Sequence, residues 1–167
     1  MTSALRSGYF WLSLFLLILT DIFFVGVILD WFDFGFVIGP YRLNHWLGWI
    51  GFVFILIHVP LFVTLKRKYV NKIRLFLGIH VLGNLTVYLL ISIHFASQIS
   101  RPAQFYPDLG TGLALYVFMI TLVATGFLQR FNLLSKYRKN WRFLHTSSVT
   151  ALLVIILFHI LHGINII

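Results

Sequence analysis

Five long apolar runs divide this chain, and they constrain its fold more than any other feature. They cover about residues 9–29, 44–65, 75–98, 111–128 and 141–165. A helix of about 20 apolar residues can cross the roughly 30 Å hydrocarbon core of a bilayer. With only 10% charged residues, the chain could not cover the surface of a water-soluble domain. We therefore predict an all-α membrane protein in which residues 1–167 form a single domain of five transmembrane helices.

The basic residues predict how these helices are oriented. Of the 13 Lys and Arg residues, 11 precede the first run or follow the second and fourth runs. Only Arg42 and Arg101 fall on the other side. The positive-inside rule then places the N-terminus in the cytoplasm and the C-terminus outside. This topology explains the net charge of +9 without a nucleic-acid partner. We expect a multi-pass protein of the cell membrane, and in particular of a prokaryotic plasma membrane.

The first run is predicted to be a retained anchor helix, because it is long for a signal peptide and lacks a small-residue cleavage pattern. It contains Asp21, and an acid inside a span is costly. Asp21 is therefore either functional or, in the simpler interpretation, a protonated or paired side chain that faces the other helices. Residues 30–43 are predicted to form a loop with a short aromatic segment. Pro107 and Asp108 help to mark a turn before the fourth helix.

Two pairs of histidines lie inside the apolar runs at the same spacing. His80 and His94 are 14 residues apart, and so are His145 and His159. Such a step returns to nearly the same helix face roughly 21 Å further along. The third and fifth helices are parallel in the predicted topology. His80 and His145 should therefore lie near the cytoplasmic face, and His94 and His159 near the outer face.

Histidines at matching depths predict two stacked hemes. Two imidazole ligands on one heme iron give a low-spin electron carrier. A chance set of interior histidines is less favoured, because intramembrane histidine is rare. Ligands about 21 Å apart cannot share one tetrahedral zinc. The chain has no cysteine, which excludes disulfides, thiolate-ligated iron–sulfur clusters and covalent c-type heme. Heme b is the cofactor that remains.

Three further histidines leave alternatives open. His45 and His58 are 13 residues apart in the second run, so their rings point about 140° apart on an ideal helix. They could ligate a heme, a third heme included, bond heme propionates, contact a quinone, or be interior histidines bonded to a neighbour. His162 follows His159 on nearly the same face and could compete as the outer ligand, but the spacing favours His159. Arg142 and Lys139 could neutralise propionates of an inner heme, and Arg101 or Arg42 those of an outer heme, although topology also explains these cations.

Three motifs between His80 and His162 occur in order. They are His80-Val-Leu-Gly83 with His94; Gly112 through Ala124-Thr125-Gly126 to Arg130; and Trp141-Arg-Phe-Leu-His145 with His159. In these motifs the chain resembles the ferric reductase-like transmembrane domain family, over a core of about residues 76–165. That family includes the membrane parts of ferric reductases and NADPH oxidases, and the heme subunit of the periplasmic methionine sulfoxide reductase system.

The resemblance implies that His80 and His145 ligate the iron of an inner heme, and His94 and His159 that of an outer heme. A second alignment starts at His45-Trp-Leu-Gly48 and would instead pair His58 with His145 and His45 with His159. The sixth helix and the flavin or nicotinamide domain of the family have no counterpart here, and no glycine-rich phosphate loop follows a strand. Electrons are therefore expected from a quinol or from a partner protein.

The sequence thus predicts a b-type diheme cytochrome, an electron-transport subunit of an oxidoreductase. It would move electrons between a cytoplasmic or quinol donor and an acceptor on the outer side. No residue is assigned a catalytic role. One alternative is a quinol-interacting cytochrome b subunit of a larger respiratory or dehydrogenase complex. Another is a heme-free membrane protein that acts in assembly or interaction.

Overall fold

The computed structural model describes residues 7–102, 109–133 and 135–164, and five α-helices lie within these ranges. All five are long and apolar enough to cross a membrane. The predicted all-α fold with five spans is therefore confirmed. The helices are α1 (Gly8–Ile28), α2 (Leu43–Lys68), α3 (Ile73–Ile99), α4 (Leu109–Arg130) and α5 (Arg138–Gly163).

Other sequence predictions keep their status. Arg6, Pro107 and Asp108, which entered the predicted topology and turn, lie outside the described residues. The orientation across the membrane and the cellular location stay predictions. The chain divides into two compact units, Met1–Arg101 and Pro102–Ile167. That the five helices form a single domain also stays a prediction.

The two helices that follow or precede basic loops are longer than their apolar runs. α2 continues through Lys66, Arg67 and Lys68, and α5 already begins at Arg138. Lys and Arg have long apolar stems, so they can extend a helix beyond the hydrocarbon region while their charges stay in water. Lys66 also lies over the ring of Phe62, with Nζ 5.1 Å from the ring centre. Cations in the last turn of α2 further complement the helix dipole.

In the first unit, α1 and α2 both pack against α3. α1 buries small hydroxyl residues: Ser13 donates to the carbonyl of Tyr9 at 2.7 Å, and Thr20 to that of Leu16 at 2.8 Å. Each hydroxyl is therefore bonded within its own helix, and its small side chain permits close packing of neighbouring helices. Asp21 is exposed, so it does not face the other helices of this unit, and the simpler interpretation of this acid is wrong.

A short β-hairpin between α1 and α2 replaces the predicted loop. β1 (Val37–Ile38) pairs with β2 (Tyr41–Arg42) in antiparallel register. Gly39 has a φ of +60° in the tight turn between them, where glycine has no steric penalty. The indole N–H of Trp46 donates to the carbonyl of Ile38 at 2.9 Å. The hairpin is thereby tied to the first turn of α2, which carries Asn44 and His45.

The second unit is the pair of helices α4 and α5. Its buried residues include Tyr116, Met119 and Thr125 on α4, and Ser148, Leu152 and Ile156 on α5. α4 enters the contact with two threonine–glycine steps, which hold the histidines of α5 as described next.

Candidate functional site

Both predicted ligand histidines of α5 are bonded to threonines of α4. His145 Nδ1 lies 3.0 Å from Thr125 Oγ1, and His159 Nδ1 lies 3.0 Å from Thr111 Oγ1. The two threonines are 14 residues apart, as the two histidines are. Two successive copies of one contact therefore lie along the helix pair, about 21 Å from each other.

The contact at His145 fixes which ring nitrogen carries the proton. Thr125 Oγ1 lies 2.6 Å from the carbonyl oxygen of Thr121, which can only accept a hydrogen bond. The hydroxyl proton therefore goes to that carbonyl, and the hydroxyl oxygen accepts the Nδ1–H of His145. In the neutral ring the lone pair is then on Nε2, the nitrogen that a metal would bind.

A glycine follows each of these threonines and makes room for the imidazole. A Cβ placed on Gly126 would lie 3.3 Å from Cε1 of His145, and one on Gly112 would lie 3.4 Å from Cε1 of His159. Each ring thus packs on the backbone of α4 with its Nδ1 directed at the threonine. The threonine orients the ring, and the glycine allows it to approach.

In the first unit, α2 and α3 bring four histidines together in pairs. The ring centres of His45 and His94 are 5.9 Å apart, with a T-shaped arrangement. Those of His58 and His80 are 5.4 Å apart, with nearly parallel planes. The second helix therefore places one histidine beside each predicted ligand of the third.

His94 has the same preparation as the histidines of α5. Its Nδ1 lies 2.8 Å from the backbone carbonyl of Asn44, so this nitrogen must donate its proton. A Cβ on Gly48 of α2 would lie 3.1 Å from the same Nδ1. His94, His145 and His159 therefore share a hydrogen bond at Nδ1 and a glycine of the adjacent helix beside the ring.

His80 is held differently, in a stack of aromatic rings. It lies between Phe62, whose ring centre is 4.1 Å away, and His58, on which Phe54 stacks in turn at 4.7 Å. The amide nitrogen of Asn84 is 3.1 Å from Nδ1 and 3.3 Å from Nε2 of His80. Stacked rings do not direct their nitrogens to a common point. The His58–His80 pair is therefore not arranged around one ion.

Five buried side-chain atoms have no hydrogen-bond partner within the part of the chain that the structure describes. Burial of such a group without a partner costs about 1–3 kcal/mol. Two of the five belong to histidines whose roles the sequence left open, which fits side chains that bond a bound cofactor or ligand. The atoms are Nδ1 of His45, Nε2 of His58, Oδ1 of Asn44, Nε2 of Gln98 and Nε1 of Trp141.

The remaining candidates lie at the ends of helices. His162 is exposed in the last turn of α5, whereas His159 is partly buried and bonded to Thr111. Arg142 is exposed one turn before His145. Arg101 follows α3, where partial burial first and the positive charge of Arg42 second lower the pKa of its guanidinium. Arg42 and Arg101 are thus close enough to affect each other.

Among the described residues, no three His, Cys, Asp or Glu side chains converge as a group that could hold a metal ion. A heme iron does not need such a group, because the porphyrin supplies four ligands and the protein only the axial ones. The donor set of neutral imidazoles with fixed Nδ1 protons suits that axial role.

Sequence reasoning found the histidines but missed their partners. The threonine–glycine steps at 111–112 and 125–126 repeat at the histidine spacing, so this signal was readable. The backbone carbonyl of Asn44 was not, because every residue has one.

Comparisons with protein-family models, curated proteins and solved structures gave no match to this chain. The resemblance to the ferric reductase-like family therefore stays a prediction from the quoted motifs.

Proposed function

We propose that this protein is a b-type cytochrome that holds two hemes with transmembrane histidines and moves electrons across the membrane. One observation carries the proposal: the threonine–histidine–glycine contact that occurs twice between α4 and α5. A single bonded histidine in a helix pair would be an ordinary interior residue. Two equal contacts, four helical turns apart, are what a helix pair would need to present one ligand to each of two hemes.

The hydrogen bonds support this role chemically. Histidines that bind metals commonly donate their second N–H to an oxygen, which fixes the tautomer and the ring orientation and raises the basicity of the ligating nitrogen. His145 has this bond to a hydroxyl and His94 to a carbonyl. His159 has the matching contact to Thr111.

In the proposal, His145 and His80 are the axial ligands of one heme, and His159 and His94 those of the other. When bound, heme supplies a one-electron couple at its iron; the chain supplies the ligands, the apolar surroundings and the cations. Arg142 at one end, and Arg101 with Arg42 at the other, would neutralise propionates. The stacking of His58 on His80 keeps the second alignment open, in which His58 is the partner of His145 and His45 that of His159.

The proposed setting follows from the sequence. The protein would lie in the plasma membrane of a prokaryote as a subunit of an oxidoreductase, similar to the ferric reductase-like family. Its electrons would come from a quinol or a partner protein, and the acceptor would lie outside. A heme-free role in assembly or interaction is the alternative to all of this.

The test is the heme content of the purified full chain and of histidine variants. We expect two low-spin b-type hemes per chain in the pyridine hemochrome assay and the reduced-minus-oxidised spectrum. His94→Ala and His159→Ala should each remove one heme, and the same one, because the two residues are proposed to share an iron.

His162→Ala is the matched control, since this exposed histidine lies one turn from His159 on the same helix. It should keep both hemes. A wild-type protein that stays colourless when heme supply is ample would overturn the proposal. Loss of different hemes in the two variants would overturn the pairing alone.

A further inference from the structure

Three of the five buried atoms without a partner in the described residues lie at one end of the first unit. We call this the hairpin end; it consists of the hairpin, the first turn of α2 and the last turn of α3. The atoms are Oδ1 of Asn44, Nδ1 of His45 and Nε2 of Gln98. Asn44 is only 2% exposed. Such a concentration points to a polar ligand rather than to isolated packing defects.

The fold brings these three side chains to one level. Asn44 and His45 are neighbours in the first turn of α2. The Asn44 carbonyl accepts the Nδ1–H of His94 at 2.8 Å, which ties this turn to α3. Gln98 lies one turn beyond His94 on nearly the same face of α3. All three therefore lie within about one helical turn of His94, a proposed heme ligand.

The unpartnered atoms define what the ligand must offer. Oδ1 of Asn44 needs a hydrogen-bond donor, and the amide nitrogen of Gln98 needs an acceptor. Nδ1 of His45 can take either role according to its tautomer. A ligand with hydroxyl or carbonyl oxygens at both ends of a small ring would satisfy these demands together.

The surroundings favour an apolar, membrane-soluble molecule. A buried cluster of Val27, Ile93 and Ala96 packs nearby with the rings of Phe23 and Phe34. Tyr41 and Trp46 contact each other with ring centres 5.6 Å apart, and the Tyr41 ring lies 6.5 Å from that of His45. Aromatic residues of this kind are enriched at the membrane–water interface, where lipid-soluble ligands enter and leave.

Two cations add a positive field. Arg42 and Arg101 both act electrostatically on His45, and Arg101 is partly buried. The positive-inside rule does not call for arginines at the end of the unit opposite the basic loops. Their position beside His45 would favour a ligand that becomes anionic when it gives up a proton.

We propose that the hairpin end binds a membrane quinone and its quinol. The inference deepens the proposed function and rests on it for the redox partner. Oxidation of one quinol breaks two O–H bonds, releases two protons to the aqueous phase at this end and gives one electron to each of two ferric hemes. Asn44, His45 and Gln98 bind and orient the ring in this scheme.

The experiment measures binding of a short-chain benzoquinone to the full chain, purified with its hemes, by isothermal titration. Asn44→Leu and Gln98→Met remove one hydrogen-bonding group each and nearly keep the side-chain volume. Each should weaken quinone binding by about tenfold, the change expected for one lost hydrogen bond. Heme content and complete reduction by dithionite should not change. The corresponding quinol should reduce the hemes of the wild type faster than those of either variant.

Thr86→Val is the matched control on α3, since its exposed hydroxyl bonds only the carbonyl of Leu82 among the described contacts, at 3.0 Å. It should bind quinone as the wild type does. Unchanged binding in both test variants would overturn the proposal and indicate that ordered water satisfies these atoms. Loss of a heme from both would overturn it in favour of heme propionates. Should Asn44→Leu fail to fold, Gln98→Met decides.

The two proposals can fail separately. Hemes without measurable quinone binding would refute the quinone site and leave the cytochrome. Quinone binding that depends on Asn44 and Gln98 in a protein without heme would support the site and refute the cytochrome.

Discussion

At the scale of single residues, Thr125 is the most informative side chain of the second unit. It is 1% exposed, donates its proton to its own helix and accepts the Nδ1–H of His145. An oxygen that serves both purposes leaves no ambiguity about the tautomer. Removal of the hydroxyl would leave the imidazole N–H without its acceptor while the volume stays the same.

We therefore predict that Thr125→Val weakens one heme site and not the other. Loss of such a supporting contact typically costs about 10–100-fold in metal affinity. The midpoint potential of the heme bound by His145 should rise, because a less basic imidazole stabilises ferric iron less well. Potentiometric titration of the α bands and heme release kinetics measure both effects.

Thr121→Val controls for this prediction one turn earlier on α4. Its hydroxyl is exposed and bonds the carbonyl of Val117 at 2.9 Å. Equal shifts in the two variants would mean that Thr125 acts through the helix and not through His145.

At the scale of helices, the contact between α2 and α3 depends on glycine. A Cβ on Gly51 would lie 2.8 Å from Cγ1 of Ile91, closer than real Cβ atoms come to a neighbour. Since Ile91 is itself packed against α2, the helices would have to separate or Ile91 would have to leave its rotamer. The His45–His94 and His58–His80 pairs span this same contact.

Gly51→Ala should accordingly destabilise the first unit by about 1–3 kcal/mol, the usual cost of overpacking. A lower Tm in detergent is the expected readout. Gly8→Ala, at the start of α1 with nothing within 4 Å of the added Cβ, should leave Tm unchanged or raise it slightly. A Gly51→Ala protein as stable as the wild type would show that α2 and α3 adjust freely.

The helices could be predicted because five apolar runs separated by charged loops leave no other fold in a bilayer. The hairpin at Val37–Arg42 could not, since strands of two residues are too short to produce an alternating pattern. The same limit applies at the site. Spacing identified His80, His94, His145 and His159, but the stack around His80 and the carbonyl at His94 depend on how α2 packs.

At the scale of the whole molecule, the number of helices has a consequence for topology. An odd number of crossings puts the two termini on opposite sides of the membrane. The charge of the loops then selects one of the two orientations, with Lys66–Lys68 on the cytoplasmic side. In that orientation the hairpin end faces outward.

Fusions at the C-terminus test this orientation in a bacterial host. Alkaline phosphatase fused after Ile167 should be active, and green fluorescent protein exported by the same route should stay dark. Fusions after Tyr69 serve as the inverse control, because this residue lies just beyond the end of α2 among the basic residues. Activity of phosphatase at Tyr69 but not at Ile167 would reverse the assigned orientation.

The equal repeats on α4 and α5 finally imply a constraint on chain length. One residue inserted between Gly112 and Thr125 would rotate one threonine–glycine step by about 100° away from its histidine. An insertion between the two helices, where the chain turns after Asn132, would leave both steps in phase. In any lineage that keeps both contacts, α4 should therefore vary in composition but not in length over these four turns, while the adjoining loop is free to grow or shrink.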